Sequence, residues 1–335
     1  MLDSIHLIGE FKGRQNLYQA QSPHILERLV QSARVESVES SNRIEGITIP
    51  GDRLSAIVNQ KSVPQGRSEE EVAGYRDALA EIHINSRSIE VKPAAIRWLH
   101  KILLGHTPEK GGEWKSTDNA ILETRPDGRQ VVRFQTVSAV ATGQFMEDLC
   151  QHYQSCLQER KGMPLMASAT MVFDFLCVHP FRDGNGRVGR LLTLLSLYQC
   201  GYEVGRYISL ERIIESSKET YYEALNQSSK GWHESRHDLR PWWNYYLGVL
   251  VSAYKEFEER AGYLLQARGA KTEMIIQAVK RLPDRFTFQQ VSHASAGISP
   301  DLVRKVLRNL QREGKISCIG FGPGALWQKE GTFFD

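Results

Sequence analysis

No apolar run in this 335-residue sequence reaches membrane-spanning length, so a transmembrane helix is not expected. The start, Met1-Leu2-Asp3-Ser4-Ile5-His6, lacks the basic opening and apolar core of a secretory leader. Cysteine is sparse. Cys150, Cys156, Cys177, Cys200 and Cys318 are an odd number with no zinc-type or redox spacing, which reads as reduced thiols in a cytoplasmic protein. Charge of one sign is also lacking: the net of +3 gives no global attraction for nucleic acid or membrane. There is no internal repeat or low-complexity tract. The absence of a His-Glu-x-x-His run and of a Gly-x4-Gly-Lys-Ser/Thr run argues against a zinc hydrolase and a P-loop kinase. Hydrophobic content of 41% and charged content of 24% leave an ordinary globular protein, long enough for two or three domains.

What the chain does have is concentrated in His179-Pro180-Phe181-Arg182-Asp183-Gly184-Asn185-Gly186-Arg187-Val188-Gly189-Arg190. Apolar, helix-like runs from Met166 to Val178 and from Leu191 to Tyr198 flank it, giving a helix–turn–helix layout. Such a turn places backbone N–H groups at a helix start, where partial positive charge favours an anion. Gly184 and Gly186 allow close backbone approach. Arg187 and Arg190 can fork onto phosphate oxygens. Asp183 is a hard ligand suited to Mg²⁺, which accompanies nucleotide phosphates. His179 can take a proton from an attacking hydroxyl. The residue before a proline is biased away from helix, so the first helix should break at His179 and project its imidazole. The segment reads as a phosphate-transfer site with its base attached.

Elsewhere the sequence is mostly helical. Residues 1–92 form an N-terminal helical region in which Ser68 and Glu71 have capping-box spacing. Pro126-Asp127-Gly128-Arg129 is a turn signal between two alternating arms, Ala120-Ile121-Leu122 and Val131-Val132-Arg133-Phe134, which predicts a hairpin. The signature and its supporting helices occupy 93–235, and 236–270 reads as a connecting helix from Arg240 to about Ala267. Residues 271–335 change pattern. Three helices are expected, through Met274–Leu282, Phe288–Ala294 and Leu302–Leu310, with a turn at Gly297-Ile298-Ser299-Pro300 before the third. Two short strands, Lys315–Ile319 and Ala325–Gln328, follow, joined by Gly320-Phe321-Gly322-Pro323-Gly324. That is a winged-helix plan. It carries 10 Lys or Arg against 6 Asp or Glu, with Arg304, Lys305, Arg308 and Arg312 near one face of the third helix, which suits phosphate contact with DNA.

The signature resembles that of the Fic family, His-Pro-Phe-x-Asp/Glu-Gly-Asn-Gly-Arg-x-x-Arg, and weaker likeness extends over about residues 35–235, through Glu71–Leu79, Ile96–Leu104 and Gly111–Lys115. The resemblance implies a mainly α fold: a helical core with a small β-hairpin flap, here followed by the winged helix-turn-helix domain. It implies transfer of AMP from ATP to a Ser, Thr or Tyr hydroxyl of a target protein or of the chain itself. His179 would be the catalytic base. Asp183, Gly184, Asn185, Gly186, Arg187, Val188, Gly189 and Arg190 would bind the ATP phosphates, with Asp183 also the Mg²⁺ ligand. Relatives acting as kinases commonly carry Lys at position 186, so Gly186 favours adenylylation. Asn119, Ala120, Ile121 and Leu122 would align the target by strand addition. Lys115 stands where many members have Arg. Tyr221 and Tyr222 resemble a pair lining the adenine pocket. Ser41-Asn42-Arg43-Ile44-Glu45-Gly46 matches the family's inhibitory pattern, on a short helix that Gly46 would cap, with Glu45 paired to Arg190. The alternatives are a de-AMPylating phosphodiesterase or bifunctional enzyme and, in another class, a nucleotide-sensing DNA-binding regulator. A homodimer is left open.

Overall fold

The computed structural model describes the chain except residues 22, 125–127, 159–162, 267–268, 296–297, 321–324 and 331–335. The described residues are mainly helical, with fourteen α-helices and two small antiparallel sheets. Among them no helix is long and apolar enough to cross a membrane, and the five cysteines are free thiols. By internal contacts the chain divides into one unit of residues 1–12 and 30–256 and a second of residues 13–29 and 257–335.

In order, the first elements are α1 (Leu2–Gln21), α2 (Pro23–Ile44), α3 (Gly51–Val58), α4 (Arg67–Asn85) and α5 (Pro93–Leu103). A hairpin of β1 (Ala120–Thr124) and β2 (Gln130–Gln135) follows, then α6 (Ala139–Gln158), α7 (Pro164–Val178) and α8 (Asn185–Gln199). Next come α9 (Leu210–Ser216), α10 (Lys218–Ser229) and α11 (Arg240–Gln266). The centre of the larger unit is α8. Every residue from Arg187 to Tyr198 on it is buried, so it packs all round, as a helix without a solvent face must. It lies against α4, α5 and α7, and α7 also packs on α6. Its polar groups are answered internally: Ser196 Oγ meets Ser168 Oγ at 2.6 Å, and Ser168 Oγ meets the Tyr246 hydroxyl at 2.7 Å.

Three local expectations change. The capping box at Ser68 and Glu71 does not form. Helix α4 starts at Arg67 behind Gly66, with no side-chain cap, because the Glu71 carboxylate is held by Arg67 and Arg187 instead. The Ser41–Gly46 motif ends not a short helix but the 22-residue α2, and Glu45 lies one residue past its end. Gly46 has φ of 82°, and its N–H and that of Ile47 close the helix on the Arg43 and Asn42 carbonyls. Half of the 126–129 turn falls outside the described residues, but both hairpin arms form, with a bulge between Ile121 and Leu122.

In the second unit, α12 (Ala270–Arg281), β3 (Arg285–Thr287), α13 (Phe288–Ala294), α14 (Pro300–Arg312), β4 (Ile316–Ile319) and β5 (Leu326–Lys329) surround one apolar cluster. Val303, Val306, Leu307 and Leu310 put one face of α14 into it. The expected helices and terminal strands are present, and a strand not anticipated, β3, pairs with β5 to give the order β3-β5-β4. At three residues β3 is too short to leave a periodic signal. Parts of the 297–300 turn and of the 320–324 linker lie outside the described residues.

Candidate active site

The site is built where α7 stops and α8 starts. Helix α7 ends at Val178, and His179 takes left-handed angles, φ 52° and ψ 59°, instead of the extended ones its following proline favours. That conformation is costly for a residue with a β-carbon, and it turns the imidazole out of the helix. The loop is then locked from inside. Phe181 is fully buried and stacked on His100, with ring centroids 3.7 Å apart. Asn185 braces the loop by accepting from the Phe181 N–H at 2.9 Å and donating to its carbonyl at 2.8 Å. His100 ties it to α5: its Nδ1 accepts from the Gly112 N–H at 2.9 Å, which leaves Nε2 to donate to the Asp183 carbonyl at 3.1 Å. Burial pushes the His100 pKa down to about 4, so it holds the loop as a neutral ring.

Gly184, with φ of 78°, is the N-cap of α8, and the first helical bond runs from the Val188 N–H to its carbonyl. The preceding N–H groups of α8 have no helical acceptor and form an anion-seeking end. Gly186 marks a close approach: a β-carbon there would lie 2.4 Å from Glu45 Oε1. A cavity of about 660 Å³ opens beside this turn. Its walls include His179, Asp183, Gly184, Asn185, Gly186 and Arg190 from the signature, Glu45 after α2, Ile121, Leu122 and Arg133 from the hairpin, and Tyr221, Tyr222 and Asn226 from α10.

His179 lies on this wall as a neutral base. Its Nδ1 is 3.3 Å from the Leu176 carbonyl, an arrangement that keeps the proton on Nδ1 and leaves Nε2 free to accept. Burial, reinforced by the charge of Lys115, pulls its pKa down to about 4. Arg190 is 3% exposed and is held by Ser41 and Glu45. Its Nε donates to Ser41 Oγ at 2.9 Å, and its Nη2 donates to the Ser41 carbonyl at 2.9 Å and to Glu45 Oε1 at 2.7 Å. Burial works against that charge, but Glu45, Tyr75 and Tyr221 together outweigh it and the guanidinium pKa is raised. Asp183 is more open: one oxygen accepts from the Gly184 N–H at 2.6 Å, and the other is 3.7 Å from Arg187 Nη2.

Other expected residues are placed differently. Arg187 is not on the cavity wall; it is 1% exposed and donates to Glu71 Oε2 at 2.6 Å, and its Nε has no hydrogen-bond partner among the described residues. Val188 is buried in the core, and a β-carbon at Gly189 would meet Leu176 at 3.0 Å, so neither faces this cavity. Of the hairpin residues, Ile121 and Leu122 reach the cavity, and β1 pairs only with β2 among the described residues, leaving an open edge. Asn119 instead turns inward, donating to the Phe181 carbonyl at 3.1 Å. Tyr221 is buried against Tyr222 and Trp242, and Tyr222 has Arg133 over its ring at 5.6 Å. Glu71, Lys115, His100 and Arg133 were not picked out as site residues. Each has a partner far away in sequence, such as Arg187 for Glu71, Val178 for Lys115 and Asp183 for His100, which no local spacing announces.

The helical core thus brings an imidazole and a glycine turn at a helix start onto one cavity wall. Residues 90–197 match the family model described as Fic/DOC family, and the chain carries a Fic/DOC-family domain there. It is 27% identical over 226 residues to a protein adenylyltransferase Fic of Nematostella vectensis, a match spanning 64% of this chain and 47% of that relative. The chain thus spans less than half the length of this relative. Among solved structures it is similar to a Fic family protein from Desulfovibrio desulfuricans G20, with TM-score 0.64 and 21% identity over 99% of this chain and 96% of that one. It is similar also to a Fic domain containing signaling protein from Bacteroides thetaiotaomicron, with TM-score 0.65 and 22% identity over 77% and 97%. These likenesses establish the fold.

Proposed function

We propose that the protein transfers AMP from ATP to a hydroxyl side chain of a protein and is restrained by Glu45. The observation that carries the reading is one cavity lined by both a neutral His179 and the Gly184–Gly186 turn that opens α8. A nucleotide triphosphate lying along the turn would set its α-phosphate near the imidazole. The target hydroxyl oxygen attacks the α-phosphorus as its proton passes to His179 Nε2, the bond from that phosphorus to the bridging oxygen breaks, and pyrophosphate leaves. The helix N-terminus and Arg190, once freed, stabilise the charge that builds on the leaving group. Tyr221 and Tyr222 would hold the adenine, and the open edge of β1 would receive the target backbone.

The residues suit Mg²⁺. No cluster of three His, Cys, Asp or Glu groups that could hold a metal occurs among the described residues, but Asp183 offers an exposed carboxylate on the cavity wall. One carboxylate completed by phosphate oxygens and water is the usual Mg²⁺ arrangement. Bound there, the ion supplies charge neutralisation to the phosphates. In the arrangement described, the Glu45 carboxylate occupies the guanidinium of Arg190 and crowds Gly186, which supports the restraint. Incubating wild type and Glu45→Gly with ATP labelled at the α- or γ-phosphate, alone and in cell extract, tests the reading. Protein labelling from α-labelled ATP only, much stronger for the variant, is expected. Labelling from the γ-phosphate overturns adenylyl transfer; equal labelling of both proteins overturns the restraint.

A second reading concerns residues 271–335. Arg304, Lys305, Arg308 and Arg312 are all exposed on α14, and neither Lys305 nor Arg308 has an ion-pair partner among the described residues. That basic face supports contact with the phosphates of duplex DNA by a winged helix. Affinity for a DNA duplex should fall steeply as salt rises from 50 to 200 mM; no binding at 50 mM would reject this reading.

A further inference from the structure

The hairpin and the catalytic loop are joined through one buried cation. Lys115 is 5% exposed, although lysine is rarely buried unless paired. Among the described residues no carboxylate pairs with it. Its Nζ donates to Asn119 Oδ1 at 2.8 Å, to Thr136 Oγ1 at 2.9 Å and to the Val178 carbonyl at 3.1 Å. An ammonium has three hydrogens, and all three are used. The acceptors are telling. Asn119 immediately precedes β1, Thr136 immediately follows β2, and Val178 is the last residue of α7, directly before His179. The contact with Val178 also satisfies a carbonyl orphaned at a helix C-terminus, where a cation is favoured.

The surroundings close this knot. Thr136 Oγ1, which accepts from Lys115, directs its own hydrogen toward Asn119, whose backbone and side-chain oxygens lie 2.7 and 2.6 Å away. Asn119 Nδ2 reaches the Phe181 carbonyl, and the Lys115 backbone N–H donates to the Pro180 carbonyl at 2.8 Å. The first end of the hairpin is thus hydrogen-bonded to the loop directly, through Asn119, and the second reaches it through Lys115. A target strand added to the edge of β1 takes its position from the hairpin, whereas the base takes its position from the loop.

We propose that Lys115 is a positioning residue, whose ammonium fixes the distance and register between a target strand lying on β1 and the imidazole of His179. The assignment rests on the adenylyl-transfer reading of the site. A misplacement of about 1 Å between reacting groups is enough to cost about 10²-fold in rate. Lys115 does not line the nucleotide cavity, so its removal separates target alignment from nucleotide binding. Its charge also bears on the base, since it helps hold the His179 pKa down, while Asp118 is the carboxylate that acts on Lys115 itself.

The test compares Lys115→Met, which keeps the stem and loses the donors, with Lys115→Arg, which keeps a charged donor. Both are made in the Glu45→Gly background and assayed with Mg²⁺ and α-labelled ATP for auto-labelling, and with a fluorescent ATP analogue for binding. Lys115→Met should lose about 10²-fold in labelling rate with unchanged analogue affinity, and Lys115→Arg should recover most of it. Two readouts do not need turnover. By NMR, the His179 ring should titrate at higher pH in Lys115→Met, and amides of β1 and β2 should exchange faster while those of α8 do not. Unchanged labelling, an unmoved His179 titration, or parallel loss of analogue binding and thermal stability overturns the proposal. If the Glu45→Gly parent labels nothing, the functional reading fails, and the titration and exchange still decide whether Lys115 couples hairpin to base.

Discussion

Two helices of this protein carry clusters of arginine and use them in opposite ways. On α8, Arg187 and Arg190 are buried, each against a carboxylate from another segment, Glu71 and Glu45. On α14, Arg304, Arg308 and Arg312 stand on the exposed face, with a buried apolar stripe opposite. A buried guanidinium needs a partner that meets its charge, so its geometry is fixed and its partner is specific. An exposed one keeps its hydration and its rotamers, and acts through summed charge. Fixed geometry is what transfer at a single phosphorus atom requires; summed charge is sufficient for contact with a polyanion's backbone.

The sharpest way to break the contrast starts at the base beside α8. On the proposed reading, His179→Ala should lower AMP transfer by about 10²–10⁴-fold, the usual loss for a general base, measured in the Glu45→Gly background. Retained turnover would remove His179 from the mechanism. Because the His179 pKa is lowered to about 4, the acid limb of wild-type activity should lie near that value, well below the 6.5 of an ordinary histidine. The same shift has a stability counterpart. The contribution is complete above about 6.5 and is lost as pH falls through about 4, because the unfolded chain takes up this proton first.

A smaller effect compares the arginines through folding stability. Glu71→Ala leaves Arg187 buried without its carboxylate and should cost about 3–5 kcal/mol. Arg308→Ala on the open face of α14 should change stability by no more than about 0.5 kcal/mol. Urea denaturation reads both. Similar losses at the two positions would mean that burial does not set the difference.

Much of this plan was legible in the sequence, because it is written in local patterns. The apolar runs through Met166–Val178 and Leu191–Tyr198 gave α7 and most of α8, and alternation about residue 128 gave the hairpin arms. The apolar spacing at 303, 306, 307 and 310 gave α14 and its inner face. What escaped depends on distance along the chain. Glu71 looked like a cap for Ser68 three residues away, yet its carboxylate meets an arginine 116 positions on. Lys115 looked like a minor variation in the hairpin's approach, yet one of its acceptors lies 63 positions away. The carboxylate that meets Arg187 comes from α4, and that pairing too has no local signal. Pairings of this kind arise only after the helices pack, so no window of sequence contains them.

The missing side chain at position 186 has a consequence for control. The space it vacates is where Glu45 comes within 2.4 Å of a would-be β-carbon, and it adjoins the helix end suited to an anion. On the proposed reading, two negative visitors compete for that niche: a tethered carboxylate and a diffusing polyphosphate. A tether gives its group a high effective concentration without any new contact. Control would then be a matter of occupancy. Whatever loosens the hold of the tip of α2 would then act as a throttle.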